Sequence, residues 1–226
     1  MEIKTKNKII KLLGLILFCI ELTGCKTNSL KDVDGNVYKS VTIGTQVWMA
    51  ENLKTTKYND GTAIPLVTDD KAWAALNTSA YCWYKNDATA NKNKYGALYN
   101  FFTVNENKLC PRSWHVSYDA DWITLTAYLK GDSVAGGKLK EIGVTHWQSP
   151  NTGATNESGF TALPGGYRLS YGGSFGYIGS NGYWWSPVKD SSSVASYRYI
   201  GNGSTNVFST SYSKRSGYAV RCVKDN

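Results

Sequence analysis

The second half of the chain is built from short aromatic or β-branched runs that are separated by glycine, serine and asparagine. This pattern begins after Thr145 and continues almost to the last residue. Short apolar runs bounded by turn-forming residues are typical of antiparallel sheets with long loops. The sequence therefore predicts strands at residues 160–163, 183–186, 196–200, 206–210 and 218–223.

The first half begins with a predicted β-hairpin or β-meander. Residues 37–43 alternate with period two, and Gly44 and Thr45 then separate them from the apolar residues 46–49. A tight turn between two such runs is the signature of a hairpin.

Two helices are predicted between the hairpin and the later strands. Apolar residues fall on one helical stripe at 95–102 and at 117–130. In the second segment Ser117 is the expected N-cap and Gly131 the expected stop, and a further helical turn is expected only at 138–142. Strands, then two helices, then more strands predict an α+β domain whose two ends meet.

The first residues of the chain have the parts of an export signal. Four lysines precede an apolar run at 12–20 that is too short to span a bilayer, and Gly24 stands directly before Cys25. This arrangement resembles the lipobox of bacterial lipoproteins, in which the cysteine becomes the first residue and carries diacylglycerol. An ordinary secretory signal that is cut nearby is the alternative.

The lipoprotein interpretation predicts how the chain is divided. It predicts a signal peptide at 1–24, a lipidated tether at 25–31 and a folded domain at 32–226. The lipid would hold the protein in the outer membrane, with the domain facing the periplasm or the cell surface.

Charge and cysteine content limit the partners and the chemistry. The net charge is +8, but the lysines are scattered and an exported protein rarely meets nucleic acid, so only modest attraction to anionic surfaces is expected. Once the signal is removed and Cys25 is lipidated, Cys82, Cys110 and Cys222 are left in an oxidising compartment. An odd count requires at least one free thiol or an intermolecular bond.

Eight short motifs occur in one order along the chain. They are DGNxY at 34–38, IGxQxWMAENL at 43–53, YGxLYN at 95–100, CPxxWHV at 110–116, DW at 121–122, LPGGxR at 163–168, WS at 185–186 and GxxVRCV at 217–223. Together they resemble the Fibrobacter succinogenes major paralogous domain of Bacteroidetes and Fibrobacteres. The resemblance covers residues 32–224, and it implies a C-type lectin-like fold of the formylglycine-generating-enzyme branch. It also implies that Cys110 pairs with Cys222, which leaves Cys82 as the spare thiol.

The residues favour a protein without metal, cofactor or catalytic groups. His115 and His146 each stand beside a tryptophan without a second histidine at ligand spacing, so packing is predicted for both rather than zinc binding. Ser149-Pro150-Asn151 lacks the acidic first residue of the calcium-dependent sugar site of lectins. The oxidase of the related branch uses two nearby cysteines, whereas the C-terminal region here holds only Cys222.

The segment from Tyr167 to Tyr218 is rich in tyrosine, serine, glycine and asparagine. Rigid amphipathic rings among small polar groups are the composition of antibody paratopes. The segment therefore predicts a non-enzymatic binding module whose ligand is a glycan or a protein, and packing is expected for Tyr218, Trp185 and Arg221. The ligand-binding candidates are Tyr183, Trp184, Tyr197, Tyr199 and Tyr212.

Two other functions stay open. The first is a variable target protein of a diversity-generating retroelement, because such proteins use the lectin-like fold and vary Tyr, Ser and Asn positions near the C-terminus. The second is an enzyme of unrecognised type. A separate modification is also expected, because Asp132-Ser133-Val134 resembles the O-glycosylation sequon of exported Bacteroidetes proteins and should lie in a loop after Gly131.

Overall fold

A computed structural model describes residues 30–188 and 195–225, which form thirteen β-strands and five α-helices. The strands are β1 (Leu30–Lys31), β2 (Val37–Tyr38), β3 (Ser40–Ile43), β4 (Gln46–Met49), β5 (Tyr81–Cys82), β6 (Leu98–Tyr99), β7 (Trp114–Val116), β8 (Gly165–Arg168), β9 (Phe175–Ile178), β10 (Asn181–Trp185), β11 (Ser196–Gly201), β12 (Phe208–Ser211) and β13 (Cys222–Lys224). The helices are α1 (Asp70–Ala74), α2 (Ala88–Tyr95), α3 (Phe101–Val104), α4 (Asp119–Tyr128) and α5 (Asp132–Leu139). The α+β class is therefore as predicted.

A four-stranded antiparallel sheet joins the early and late parts of the domain. Its strand order is β3-β4-β13-β7, and Val223 of β13 lies opposite both Trp48 and His115. A second antiparallel sheet has the order β10-β11-β12, and three two-stranded sheets pair β1 with β2, β5 with β6 and β8 with β9. The two ends of the domain meet in the first sheet, as the order of the predicted elements indicated.

The predicted hairpin is present as β3 and β4, with Val41 opposite Trp48. Gly44 turns the chain at a φ of 61°, a backbone conformation that side chains other than glycine disfavour. A Cβ atom at this position would also lie 2.9 Å from the ring of Tyr128 at the end of α4. The hairpin turn is thus fitted against the helix.

The predicted helix at 117–130 is present as α4, but its N-cap is Tyr118 instead of Ser117. The backbone N–H of Tyr118 donates to the Asp121 carboxylate at 2.7 Å. The Ser117 hydroxyl accepts a hydrogen bond from the Trp122 indole N–H at 3.0 Å, so it fixes a core side chain.

The predicted helix at 95–102 is wrong. Gly96 ends α2 with a φ of 76°, and the next residues form β6, where Tyr99 lies opposite Tyr81. Tyr99 also exchanges two backbone hydrogen bonds with Tyr218. These partners are distant in sequence, and pairing with them overrides the local helical pattern.

Other elements also differ from the sequence predictions. Within the described residues there are five α-helices, where two were expected, and of the turn expected at 138–142 only residues 138 and 139 are helical, at the end of α5. The strand expected at 160–163 is reduced to one isolated bridge between Ala162 and Lys140. The described chain has short helices in its long loops, which a search for long periodic segments does not detect.

The folded part begins earlier than the predicted boundary at residue 32. Leu30 and Lys31 pair with Tyr38 and Val37, and the Tyr38 hydroxyl donates a hydrogen bond to the buried Asp32. The last two residues of the predicted tether therefore belong to the fold. Across the described ranges, no helix is both long and apolar enough to cross a membrane.

The disulfide between Cys110 and Cys222 is present, with a Cα–Cα distance of 6.0 Å. It links the segment before β7 to the first residue of β13, across 112 positions of sequence. Cys82 in β5 is a buried free thiol, as expected. The bridge thus connects the helical part of the domain to its last strand.

Two buried arginines hold loops against the strands. The Arg168 guanidinium donates to the carbonyl oxygens of Val67 and Gly173 and to the Asp70 carboxylate. The Arg221 guanidinium donates to main-chain carbonyl oxygens of Met49, Phe160 and Thr161 and to the Asn52 side chain. A buried cation requires such full hydrogen bonding, so the arginines of the two motifs stabilise the scaffold.

Candidate functional site

Six tyrosines surround a surface pocket of about 220 Å³ on the C-terminal half of the domain. Together with Leu169, the described residues that line it are Tyr167, Tyr177, Tyr183, Tyr197, Tyr212 and Tyr218. We refer to this feature as the tyrosine pocket.

Strand alternation brings the tyrosines to one face. Tyr183 of β10 lies opposite Tyr199 of β11, and Trp185 lies opposite Tyr197. Side chains two positions apart on a strand point to the same face, so these four aromatic residues share one face of the sheet. Tyr167 of β8 joins them, because its ring centroid lies 5.2 Å from that of Tyr183.

The pocket has a buried floor and an exposed rim. The side chains of Tyr183 and Tyr218 are buried, and their rings stack with centroids 5.5 Å apart. Tyr177 and Tyr212 stand at the rim, with exposed fractions of 56% and 50%. A ligand would therefore meet the two rim side chains first and the floor afterwards.

Four tyrosines of the pocket are held in the neutral form. Burial raises the pKa of Tyr183 and of Tyr218 far above the usual value for tyrosine, and it also raises the pKa of Tyr167 and Tyr197. Each of these four phenols therefore keeps its proton at neutral pH and offers an O–H donor together with acceptor lone pairs. Among the described residues that line the pocket, none carries a charge.

Tyr177 has an unusual backbone conformation. Its φ is 62°, within the left-handed region that β-carbon sterics disfavour for residues other than glycine. This geometry turns an exposed ring toward Tyr167, whose ring centroid is 5.4 Å away. Backbone strain of this kind persists where the surrounding structure enforces it, and it is concentrated at binding sites.

Three of the five predicted ligand-binding residues line the tyrosine pocket, namely Tyr183, Tyr197 and Tyr212. Tyr199 lies beside it, with its ring stacked on Phe208 at a centroid distance of 4.7 Å. The half-buried Tyr199 ring also stacks on Tyr183, so it packs against the side of the pocket floor.

The prediction for Trp184 is wrong. This side chain is 0% exposed, and its indole N–H donates to Asn52 at 2.8 Å. The Trp184 ring packs near Trp122 and Phe160 in the core. Because side chains alternate along β10, Trp184 and its neighbour Tyr183 face opposite sides of the sheet.

Sequence reasoning missed Leu169, Tyr167 and Tyr177, and it assigned Tyr218 only to packing. The first three flank Gly172 and Gly173, both with positive φ, between β8 and β9. Two glycines between aromatic runs are a hairpin signal, and that signal would have placed Tyr167 and Tyr177 on neighbouring strands.

The two histidines contact carboxylates. His115 lies 3.0 Å from Asp121 and 2.7 Å from Asp225, and His146 lies 2.8 Å from Glu141. Burial disfavours the charged form of His115, but the hydrogen bonds that its ring donates to both carboxylates outweigh burial and raise the pKa of His115. Within the part of the chain that the structure describes, no group of three or more His, Cys, Asp or Glu side chains is arranged to hold a metal ion.

Burial raises the pKa of the Cys82 thiol to about 12. The thiolate is the reactive form of cysteine, so this thiol is inert at neutral pH.

The two predicted modification sites fall in different places. Ser133 is exposed, but it lies in the first turn of α5. The predicted position of Ser133 in a loop is therefore wrong, and its glycosylation stays a prediction. Cys25 and the segment 1–29 lie outside the described residues, so lipidation also stays a prediction.

These features define a disulfide-linked α+β domain with a neutral aromatic pocket. The family model of the Fibrobacter succinogenes major domain matches residues 41–224, and the chain therefore belongs to this family. No curated protein matches the chain, and neither does any solved structure.

Proposed function

We propose that this protein is an outer-membrane lipoprotein whose tyrosine pocket binds a glycan without turning it over. The observation that carries the proposal is a pocket of about 220 Å³ lined by six tyrosines. The signal-like segment that ends at Cys25 supports the membrane anchor.

The chemistry of the pocket suits a sugar ring. A pyranose offers apolar C–H faces, which pack against aromatic rings, and hydroxyl groups, which pair with phenol O–H groups. Because none of the described lining residues is charged, the pocket does not favour a phosphate or a carboxylate. The ligand that fits this environment is a neutral sugar.

The size of the pocket favours one inserted ring over a broad contact. A stable protein–protein interface buries about 800 Å² on each partner and is mostly flat. The tyrosine pocket is smaller than the usual range of about 300–1,000 Å³ for drug-sized ligands. Its dimensions suit a terminal sugar or a single branch of a larger glycan, and a protein ligand is the alternative.

The C-type lectin-like architecture is part of the proposal. Three observations support it: the two ends of the domain pair in one sheet, a disulfide ties β13 to the segment before β7, and long loops connect the remaining strands. In this protein the glycan is bound through aromatic rings, and no calcium ion is required.

The test is a glycan array probed with the purified protein in mild detergent, with and without EDTA. Tyr177→Ala and Tyr212→Ala should each weaken binding about five- to 150-fold, or by about 1 to 3 kcal/mol, because each removes a rim ring. Both side chains are at least half exposed, so the melting temperature should change little.

Tyr171→Ala is the matched control. Tyr171 is 87% exposed and lies between β8 and β9, but it does not line the pocket. Binding that is lost in EDTA, or that is equal in all three variants, would contradict the proposal. Binding to surface proteins without any glycan signal would select the protein-ligand alternative. Bound glycan should be recovered with unchanged mass, whereas a cleaved product would show that the protein is an enzyme.

A further inference from the structure

A second groove, with a volume of about 600 Å³, lies where the described chain begins. Leu30, Lys31 and Val33 line one part of it, and Arg112, Trp114 and Lys224 line another. We refer to it as the basic groove. It contains residues from β1, β7 and β13, so it borders the four-stranded sheet and shares no lining residue with the tyrosine pocket.

The basic groove carries three cations that are available to a partner. Lys31, Arg112 and Lys224 are exposed, and none of them forms an ion pair within the described residues. The one lining carboxylate, Asp32, is buried and accepts hydrogen bonds from Asn36 and Tyr38. The cations therefore give the groove a net positive surface.

The groove also presents apolar and aromatic surface beside these charges. The Val33 side chain is 45% exposed, and the Trp114 ring is only partly buried. Cations next to an amphipathic ring are the combination found at the membrane–water interface, where tryptophan lies at headgroup level.

The position of the groove relative to Cys25 identifies the partner. Four residues, 26–29, separate the lipidation candidate Cys25 from Leu30, and a fully extended chain spans about 3.5 Å for each of the five steps between them. An acylated Cys25 would therefore hold Leu30 within about 18 Å of the bilayer surface. Because Leu30 and Lys31 line the basic groove, this groove would be held close to the bilayer.

We infer that the basic groove docks on anionic lipid headgroups of the membrane that holds the acyl chains. This inference rests on the proposed lipid anchor and is independent of the tyrosine pocket. Docking gives the domain a fixed orientation, with Lys31, Arg112 and Lys224 at the headgroup level. The attraction is electrostatic, so it is screened by salt.

The test measures lysine acetylation of the lipidated protein in vesicles. Vesicles of phosphatidylcholine alone are compared with vesicles that also contain phosphatidylglycerol, and each modified lysine is quantified by mass spectrometry. Acetylation of Lys31 and Lys224 should be about fivefold slower on the anionic vesicles. This factor is the increase in binding that corresponds to the attraction of one lysine or arginine to an anionic lipid surface. The exposed Lys71 and Lys85, outside the groove, should react equally in both vesicles, and high salt should remove the difference.

A matched pair of variants tests the charge of the groove. Arg112→Gln removes one groove cation and keeps Lys31 and Lys224, whose acetylation is measured. It should therefore reduce the protection of these two lysines from acetylation on the anionic vesicles. Lys130→Gln makes the same charge change at an exposed position outside the groove and should leave the protection unchanged. Equal acetylation in the two vesicles, equal slowing at Lys71 and Lys85, or protection of Lys31 and Lys224 that is undiminished in Arg112→Gln would overturn the inference. An intact mass without acyl chains would overturn the lipid anchor and the inference together.

Discussion

At the residue scale, Lys140 is a buried cation that is held by the main chain. Its ammonium donates hydrogen bonds to the carbonyl oxygens of Thr152, Gly201 and Ser204 at 2.9, 3.2 and 2.8 Å. Burial lowers the pKa of Lys140 to about 8 from its usual value of 10.5. The side chain thus fastens the loop at 152 to the loop at 201–204, and part of its stabilising effect is offset by desolvation.

This lowered pKa predicts a pH dependence of stability. Below pH 8, Lys140 is protonated in both the folded and the unfolded states, and the cost of burying the ammonium is fully present. Between about pH 8 and 10.5 the unfolded state binds more protons, so the free energy of unfolding should rise with pH, by up to about 3 kcal/mol.

Chemical denaturation of the wild type and of Lys140→Met at several pH values in this window checks the prediction. The difference between the two proteins isolates Lys140, because titration of the tyrosines is common to both. Parallel stability profiles for the two proteins would show that Lys140 does not titrate in this range.

At the scale of elements, the sequence predicts correctly those helices and strands that depend on neighbouring residues. It fails where an element depends on a partner that is distant in sequence. The hairpin β3–β4 and helix α4 were predicted because Gly44 and the acidic first turn of α4 act on their own neighbours. The helix at 95–102 was wrong because Tyr99 pairs with Tyr218, a residue that no local window contains.

The candidate site shows the same limit. Composition identified the tyrosine-rich segment but does not say which face of a strand each ring occupies, so Trp184 was grouped with Tyr183. The burial of Trp184 follows from its packing on Trp122, which is a tertiary contact. Side chains alternate along a strand, so Tyr183 and Trp184 face opposite sides of the sheet. The pairing of Tyr183 with Tyr199 shows which of the two faces the pocket, but that register is not visible in the sequence.

The disulfide makes a prediction about these elements. Cys222→Ala should lower the free energy of unfolding by roughly 2 to 5 kcal/mol, because the bridge restricts a loop of 112 residues in the unfolded chain. Denaturant unfolding of the variant against the wild type measures the loss, and non-reducing peptide mapping of the wild type should find the Cys110–Cys222 crosslink.

Cys82→Ala is the control, because its thiol is buried and forms no bridge. That variant should keep the crosslink and lose only the packing of one small side chain. A crosslink that joins Cys82 to either partner as the main species would contradict the assignment.

At the scale of the whole molecule, two surfaces have different chemistry. The tyrosine pocket is aromatic and uncharged, whereas the basic groove carries three exposed cations beside the start of the fold. The first suits a neutral sugar and the second an anionic headgroup layer. If Cys25 is acylated, the short segment 25–29 couples the two functions, because a docked groove would hold the pocket in a constant orientation to the membrane.

The proposed membrane attachment depends on Cys25, and the acylation of this residue can be tested directly. Cells that express the wild type or Cys25→Ser are labelled with an alkyne-bearing palmitate, and the purified proteins are compared after click reaction with a fluorophore. The wild type should be labelled and should partition with the outer membrane, because two or more acyl chains anchor a protein stably whereas one chain does not.

Cys82→Ser should be labelled as strongly as the wild type, since the Cys82 thiol is buried and unreactive. Equal labelling of Cys25→Ser and the wild type would refute the lipid anchor, and it would leave binding by the tyrosine pocket as a property of an exported domain without an anchor.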